Sequence, residues 1–210
     1  MLLGCAVAKQ SEKHCAKQAW ATMSQGLPKQ SALAVERTVT YADMWAKARN
    51  PRYPNFSAND CTNFVSQVLE AGGYPQRGNT APNYWDWFHI ENPEFNHSNS
   101  FSWSAAPVMQ QYADYWKSAG DFEPMYPSLP TTENLWRGDF FLMRLSETSP
   151  YGPTHARVAV GYGTPQEGTS CPNSSGECTL GSQHSPNRYR VPVAYMVAEG
   201  TPVWLWHVTW

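Results

Sequence analysis

Cys61 has the local setting of a nucleophile. Ser57, Asn59 and Asp60 precede it, each able to cap a helix, and the segment it opens runs to Gly72-Gly73. Cys61, Phe64, Val65, Val68 and Gly72 recur at helical steps, so the cysteine starts the face that packs against the rest of the domain. A thiol in a first turn lies against unpaired backbone N–H groups and the positive end of the helix dipole, which favour the reactive thiolate. The alternative is a buried cysteine serving as a small apolar residue.

Such a nucleophile needs a base, supplied by a histidine distant in sequence. His155 follows Tyr151-Gly152-Pro153-Thr154 and opens an apolar run, which puts its ring at a sheet edge. His184 lies in Leu180-Gly181-Ser182-Gln183-His184-Ser185, at an end of the neighbouring strand, where it could orient the first imidazole. Taken singly, each is read as an ordinary loop or strand-end histidine. With Cys61, in the order helix, strand, strand, they form a nucleophile, a base and an orienting group. No His or Cys pair has zinc-finger or His-Glu-x-x-His spacing, so neither a metal nor a cofactor is expected.

These groups must be held by regular elements. Apolar residues from Leu33 to Ala48 recur at three- and four-residue steps, which predicts a helix over 31–49. Pro51 and Pro54 then enforce a loop before Cys61. Residues 74–105, rich in Asn, Pro, Trp and His, read as a structured surface loop, and Pro107 to Ala119 as a further helix ended by Gly120. Strands are expected at 139–145, 155–162, 191–197 and 203–208. Helices followed by strands make an α+β domain over 31–210, after a leader or N-terminal extension at 1–30.

The chain has 210 residues, a net charge of -2 and 15% charged residues, which leaves no electrostatic footprint for nucleic acid or anionic lipid. No apolar run of about 18 residues predicts a membrane span. With five cysteines, at least one thiol stays unpaired. Cys171 and Cys178 bracket a polar loop that a local disulfide would stiffen. Cys5 could pair with Cys15, or carry lipid after Leu2-Leu3-Gly4. A lipoprotein signal needs roughly 7 to 15 apolar residues first, so chance or truncation is the expected explanation.

The run Asn59-Asp60-Cys61-Thr62-Asn63-Phe64-Val65-Ser66-Gln67, with Tyr53-Pro54-Asn55-Phe56 before it and Gly72-Gly73 after, resembles the nucleophile segment of the putative amidase domain family. That family is similar to the NlpC-type and CHAP cell-wall peptidases. Arg137-Gly138-Asp139 resembles its Gly-Asp element, Thr154-His155-Ala156-Arg157-Val158 its histidine strand and Gln183-His184-Ser185 its following segment. The likeness runs over about residues 40–210. It implies a papain-like fold, with N-terminal helices packed on an antiparallel sheet, and a secreted or cell-surface monomer. Its implied activity is amide hydrolysis through a thioester at Cys61, with peptides of bacterial peptidoglycan as substrates. His155 would be the base, with His184 or Gln183 third; Asn55, an alternative turn former, and Asp60, an alternative helix cap, are oxyanion or orienting candidates. Two positions depart from the family's pattern: Thr154 replaces an Asp before the base, and Arg157 interrupts the apolar strand. Trp85, Trp87 and Trp103 are expected either to wall a substrate groove or to form a satellite core under the loop. A non-catalytic binding module and an acyltransferase on the same Cys–His pair are the competing readings.

Overall fold

The computed structural model describes residues 29–91, 98–125, 135–145, 152–196 and 202–210. The leader, Cys5 and Cys15 therefore lie outside the described residues. Helix α1 (Lys29–Trp45) packs on helix α2 (Cys61–Gly72), and both lie over a six-stranded antiparallel sheet. Its strands are β3 (Phe122–Met125), β4 (Phe140–Met143), β5 (His155–Gly163), β6 (Cys178–Gln183), β7 (Arg188–Pro192) and β8 (Val203–Val208). Their order is β3-β8-β4-β5-β6-β7, so the longest strand, β5, sits inside the sheet. The protein is thus α+β, with helices on an antiparallel sheet. No helix among the described residues is long and apolar enough to cross a membrane.

The approach of α1 to α2 depends on Gly72. A Cβ there would come within 2.3 Å of Thr38 Oγ1 and 2.4 Å of the Trp210 ring. Gly73 then ends α2 in the left-handed region at φ 101°, its N–H turned back to the Leu69 and Glu70 carbonyls, as a glycine cap requires. Alternation along β5 divides the interior into two layers. Ala156, Val158 and Val160 join Phe64, Val65 and Val68 under the helices, while Ala159 joins Phe141, Met143 and Val191 on the other face.

Three elements differ from the sequence reading. The strand expected at 191–197 ends at Pro192, and Val193–Met196 forms a short helix. The observed strand begins earlier, at Arg188, and is the last in its sheet, where a terminal proline costs no ladder bond. Strand β3 was not foreseen; it lies at the opposite edge, and Pro124 hides its period. The long loop carries a hairpin, β1 (His89–Ile90) with β2 (Ser98–Asn99), and a single-turn helix α3 (Phe101–Ser104) before helix α4 (Ala106–Trp116).

That loop is fastened to α2 from inside. Trp103 Nε1 donates to Asn63 Oδ1 at 2.8 Å, Trp87 Nε1 donates to Ser66 Oγ at 3.0 Å, and Ser66 Oγ donates to the Trp103 carbonyl at 2.8 Å. Both indoles are fully buried, so Trp87 and Trp103 do not wall a groove; they form the core under the loop. Trp85 is 40% exposed and stands with Tyr84 and Tyr115 on the surface. Trp103→Ala is therefore expected to cost about 3–5 kcal/mol in urea unfolding. Trp85→Ala should stay within about 1 kcal/mol. Equal losses at the two sites would contradict this division.

Candidate active site

Cys61 is the first residue of α2, is buried, and is the free thiol among the described cysteines. Cys171 and Cys178 are joined in a disulfide, Cα to Cα 5.7 Å, closing the loop between β5 and β6. The start of α2 is fixed by Asp60, whose carboxylate makes no cap bond to the helix and reaches in four other directions. Oδ1 accepts from Asn63 Nδ2 at 2.8 Å and from the Phe56 N–H at 3.1 Å. Oδ2 meets His184 Nδ1 at 2.6 Å and Arg49 Nε at 2.8 Å. Burial alone would raise the Asp60 carboxyl; the hydrogen bonds from His184, Asn63 and Phe56 outweigh it and hold the group below its ordinary value.

His184 is thereby committed. Its Nε2 donates to the Trp45 carbonyl at 2.8 Å, its ring stacks on Phe64 at 4.1 Å, and it is wholly buried. The Asp60 carboxylate and the Trp45 carbonyl therefore occupy both ring nitrogens. Neither nitrogen is left for His155. The reading of His184 as the group that orients the base gives way to one in which it orients Asp60, and with it the helix that carries Cys61. Asn55 is likewise spent locally: it is exposed, and its Oδ1 accepts from the Ser57 N–H at 2.9 Å, closing a turn.

The β5–β6 register sets Val158 against Ser182, so His155 lies across from residue 185 at the end of the sheet where α2 begins. The Asp60 N–H donates to Ser185 Oγ there at 3.0 Å. The two groups arrive at that end by different faces. Cys61 packs in the cluster that holds Leu142 and Ala156, while alternation carries His155 and Arg157 to the opposite side with their partners Met143 and Phe141. No hydrogen bond joins Cys61 to His155; the sulfur's polar contact is Thr62 Oγ1 at 3.7 Å.

His155 is only 3% exposed, and its Nε2 is buried without a hydrogen-bond partner. Burial, reinforced by the Arg157 charge and opposed by Gln183, pushes its pKa down to about 4. The ring is therefore neutral at neutral pH, the protonation state of a general base. Gln183 is also fully buried, and its Nε2 donates to the Pro186 carbonyl at 2.9 Å while its Oε1 has no partner. The neighbour of His155 from β6 is thus Gln183. Arg157 proves to be an inward-facing residue of an unbroken strand, two positions from His155 and on its face. The signal for it was a charge at an alternate position in an otherwise apolar run.

With the geometry in hand, comparison with known proteins fixes the class. Residues 32–206 match the model of the family described as "Putative amidase domain", and the chain belongs to that family. Its description is of amide hydrolysis. The chain is also 43% identical over 74 residues to a Bacillus subtilis (strain 168) protein described as "Uncharacterized protein YhbB". That match takes in 35% of this chain and 22% of the other protein, so the chain spans about a fifth of the length of that relative. No solved structure matches the chain.

Two tests follow from the buried charges. Asp60→Ala leaves His184 and Arg49 without their acceptor, and an uncompensated buried charge of this kind costs about 3–5 kcal/mol in equilibrium unfolding; a loss below about 1 kcal/mol would sink the account. For His155 the folded pKa of about 4 lies below the unfolded value of about 6.5, so the unfolded chain takes the proton first as pH falls. Its contribution to stability is present above about pH 6.5 and is lost toward pH 4. The loss at pH 4.5 is on the order of 2.5 kcal/mol. His155→Gln should remove that part of the slope, read as urea midpoints of both chains at pH 7 and pH 4.5.

Proposed function

We propose that this protein is a cysteine-dependent amidase of the papain-like kind, with Cys61 as nucleophile and His155 as general base. The observation that supports the reading is a free thiol at the start of α2 and a neutral, buried imidazole at the head of β5, both at the same end of the sheet. In the reaction, His155 takes the proton from Sγ as sulfur attacks the amide carbonyl carbon. Unpaired N–H groups of the first turn of α2 stand where the oxyanion would form. The imidazolium returns its proton to the leaving amine, and water, deprotonated by the same ring, cleaves the thioester. Thiol and imidazole are not hydrogen-bonded in the unliganded chain, and the proton transfer requires them to come into contact when substrate binds, as catalytic contacts tighten from the unliganded state. Gln183 is the positioning residue for the ring.

Peptide amides of bacterial peptidoglycan are the substrate class we assign, and a secreted or cell-surface monomer is the setting. The Cys171–Cys178 disulfide favours an oxidising compartment, and the exposed Tyr84, Trp85 and Tyr115 offer aromatic surface for such a polymer. The test is alkylation of the folded chain by iodoacetamide, read by intact mass, together with turnover of peptidoglycan peptides. One adduct at Cys61 is expected, slowed in His155→Ala, with turnover reduced at least about 10³-fold in Cys61→Ala. The acid limb of kcat/KM should fall near pH 4, below the range of an ordinary histidine. A folded chain whose Cys61 resists alkylation and whose Cys61→Ala variant loses nothing would leave the fold as a binding module.

A further inference from the structure

Arg157 is a cation that the protein has buried and not matched. It is 8% exposed, and its Nε and Nη1 are enclosed without a hydrogen-bond partner. Among the described residues it has no ion pair, whereas Arg49, Arg77, Arg137 and Arg190 are set against Asp60, Asp121, Glu36 and Asp43. A guanidinium held in this way loses its hydration with nothing in return, which a fold tolerates where a ligand supplies the missing charge.

The missing partner has somewhere to sit. Arg157 lines a cavity of about 410 Å³, the size of a small-ligand site, together with Gln183, Arg188, Thr169, Val191 and Tyr195. Cys61 and His155 do not line it; Arg157 and Gln183 are the wall it shares with the catalytic end of β5. Glu167, the acidic group on the rim, does not answer Arg157: it pairs with Lys47 and accepts from the Tyr189 N–H at 3.2 Å. The second unsatisfied atom, Gln183 Oε1, is an acceptor, so the wall asks for an anion beside an N–H donor. Those two groups lie next to each other at the C-terminal end of a peptide.

We propose that this cavity binds the free carboxylate end of a peptide, with Arg157 and Arg188 taking the carboxylate and Gln183 Oε1 accepting the adjacent amide N–H. As a statement about substrate it rests on the amidase reading: the peptides acted on carry a free carboxylate close to the scissile amide. The guanidinium suits this task, since it presents N–H donors in a fixed plane and keeps its charge. Burial lowers the Arg157 pKa to about 10, and the negative charge that Cys61 can carry opposes that fall, so the side chain is still cationic at neutral pH.

The experiment follows the Arg157 Nε–H resonance of the full ¹⁵N-labelled chain carrying Cys61→Ala, assigned by its disappearance in Arg157→Lys. N-acetylglycine, N-acetylglycinamide and inorganic phosphate are titrated in turn. The expected result is a saturable shift with N-acetylglycine at an affinity at least about tenfold above that for the carboxamide, weakened in Arg188→Gln, a change at an exposed position. An unmoved resonance, equal responses to acid and amide, or phosphate acting as strongly as N-acetylglycine would overturn the proposal. Because Cys61 is absent from the probe, the two readings fail separately. Carboxylate binding with an inert thiol removes the amidase alone, and a reactive thiol without binding removes the carboxylate site alone.

Discussion

The carboxylate of Asp60 is the point on which the arrangement of the site depends. It gathers an ion pair from Arg49, beyond the end of α1, and hydrogen bonds from the turn before α2, the first turn of α2 and the residue after β6. A buried carboxylate with fewer partners would be driven to protonate, and one with these four stays charged and immobile. Two of these groups are also tied elsewhere: Asn63 Nδ2 to the Pro54 carbonyl at 2.8 Å, Asn63 Oδ1 to Trp103, and His184 to Trp45. Through Asn63 the network extends to the indoles that fasten the long loop. The position of Cys61 is thus set by its neighbour in sequence, with the sulfur's own polar contact being to Thr62 Oγ1.

Once α2 is fixed in this way, the pleat of β5 and β6 decides which chemistry stands on which side. Ala156, Val158 and His184 face the helices, and the small Ala156 leaves room beneath the start of α2. His155, Arg157 and Gln183 take the other face, as strand alternation demands. The two consecutive residues Gln183 and His184 therefore face opposite ways, one toward the His155 ring and one toward Asp60. A shift of one residue in the register would exchange them, and the buried pairs Leu142 with Ala156 and Phe140 with Val158 hold β5 in place.

Much of this was legible in the chain. The helical spacing from Cys61 to Gly72, the glycine stop and the capping run fix α2 to within a residue. His155 at the head of an apolar run was likewise plain, because strand starts announce themselves by composition. The partner of His184 was not, since Asp60 lies 124 residues away and a contact at that separation leaves no local period. Trp87 and Trp103 were ambiguous for a related reason. A loop without periodicity does not say which side of each indole meets protein, and the deciding contacts come from Asn63 and Ser66 on another element. Arg157 looked like a flaw in the strand because a sequence pattern treats every inward charge as an error.

That apparent flaw and the state of the base are one electrostatic fact. Burial is the main cause that keeps the His155 imidazole neutral, and a cation confined two residues away on the same face adds to it by making a second positive charge there costly. Pairing Arg157 with a protein carboxylate would relieve the burial and would also remove much of that influence on the ring. Leaving it unpaired adds to the effect of burial on the His155 ring and leaves a positive charge free to meet an anion from outside. A fold departs from locally optimal pairing where the departure serves a site, and His155 Nε2 and Gln183 Oε1, also buried without partners, share that departure with Arg157. When an anion does enter, it neutralises the guanidinium and lets the ring accept its proton more readily. Substrate binding and base strength would then rise together through the same side chain.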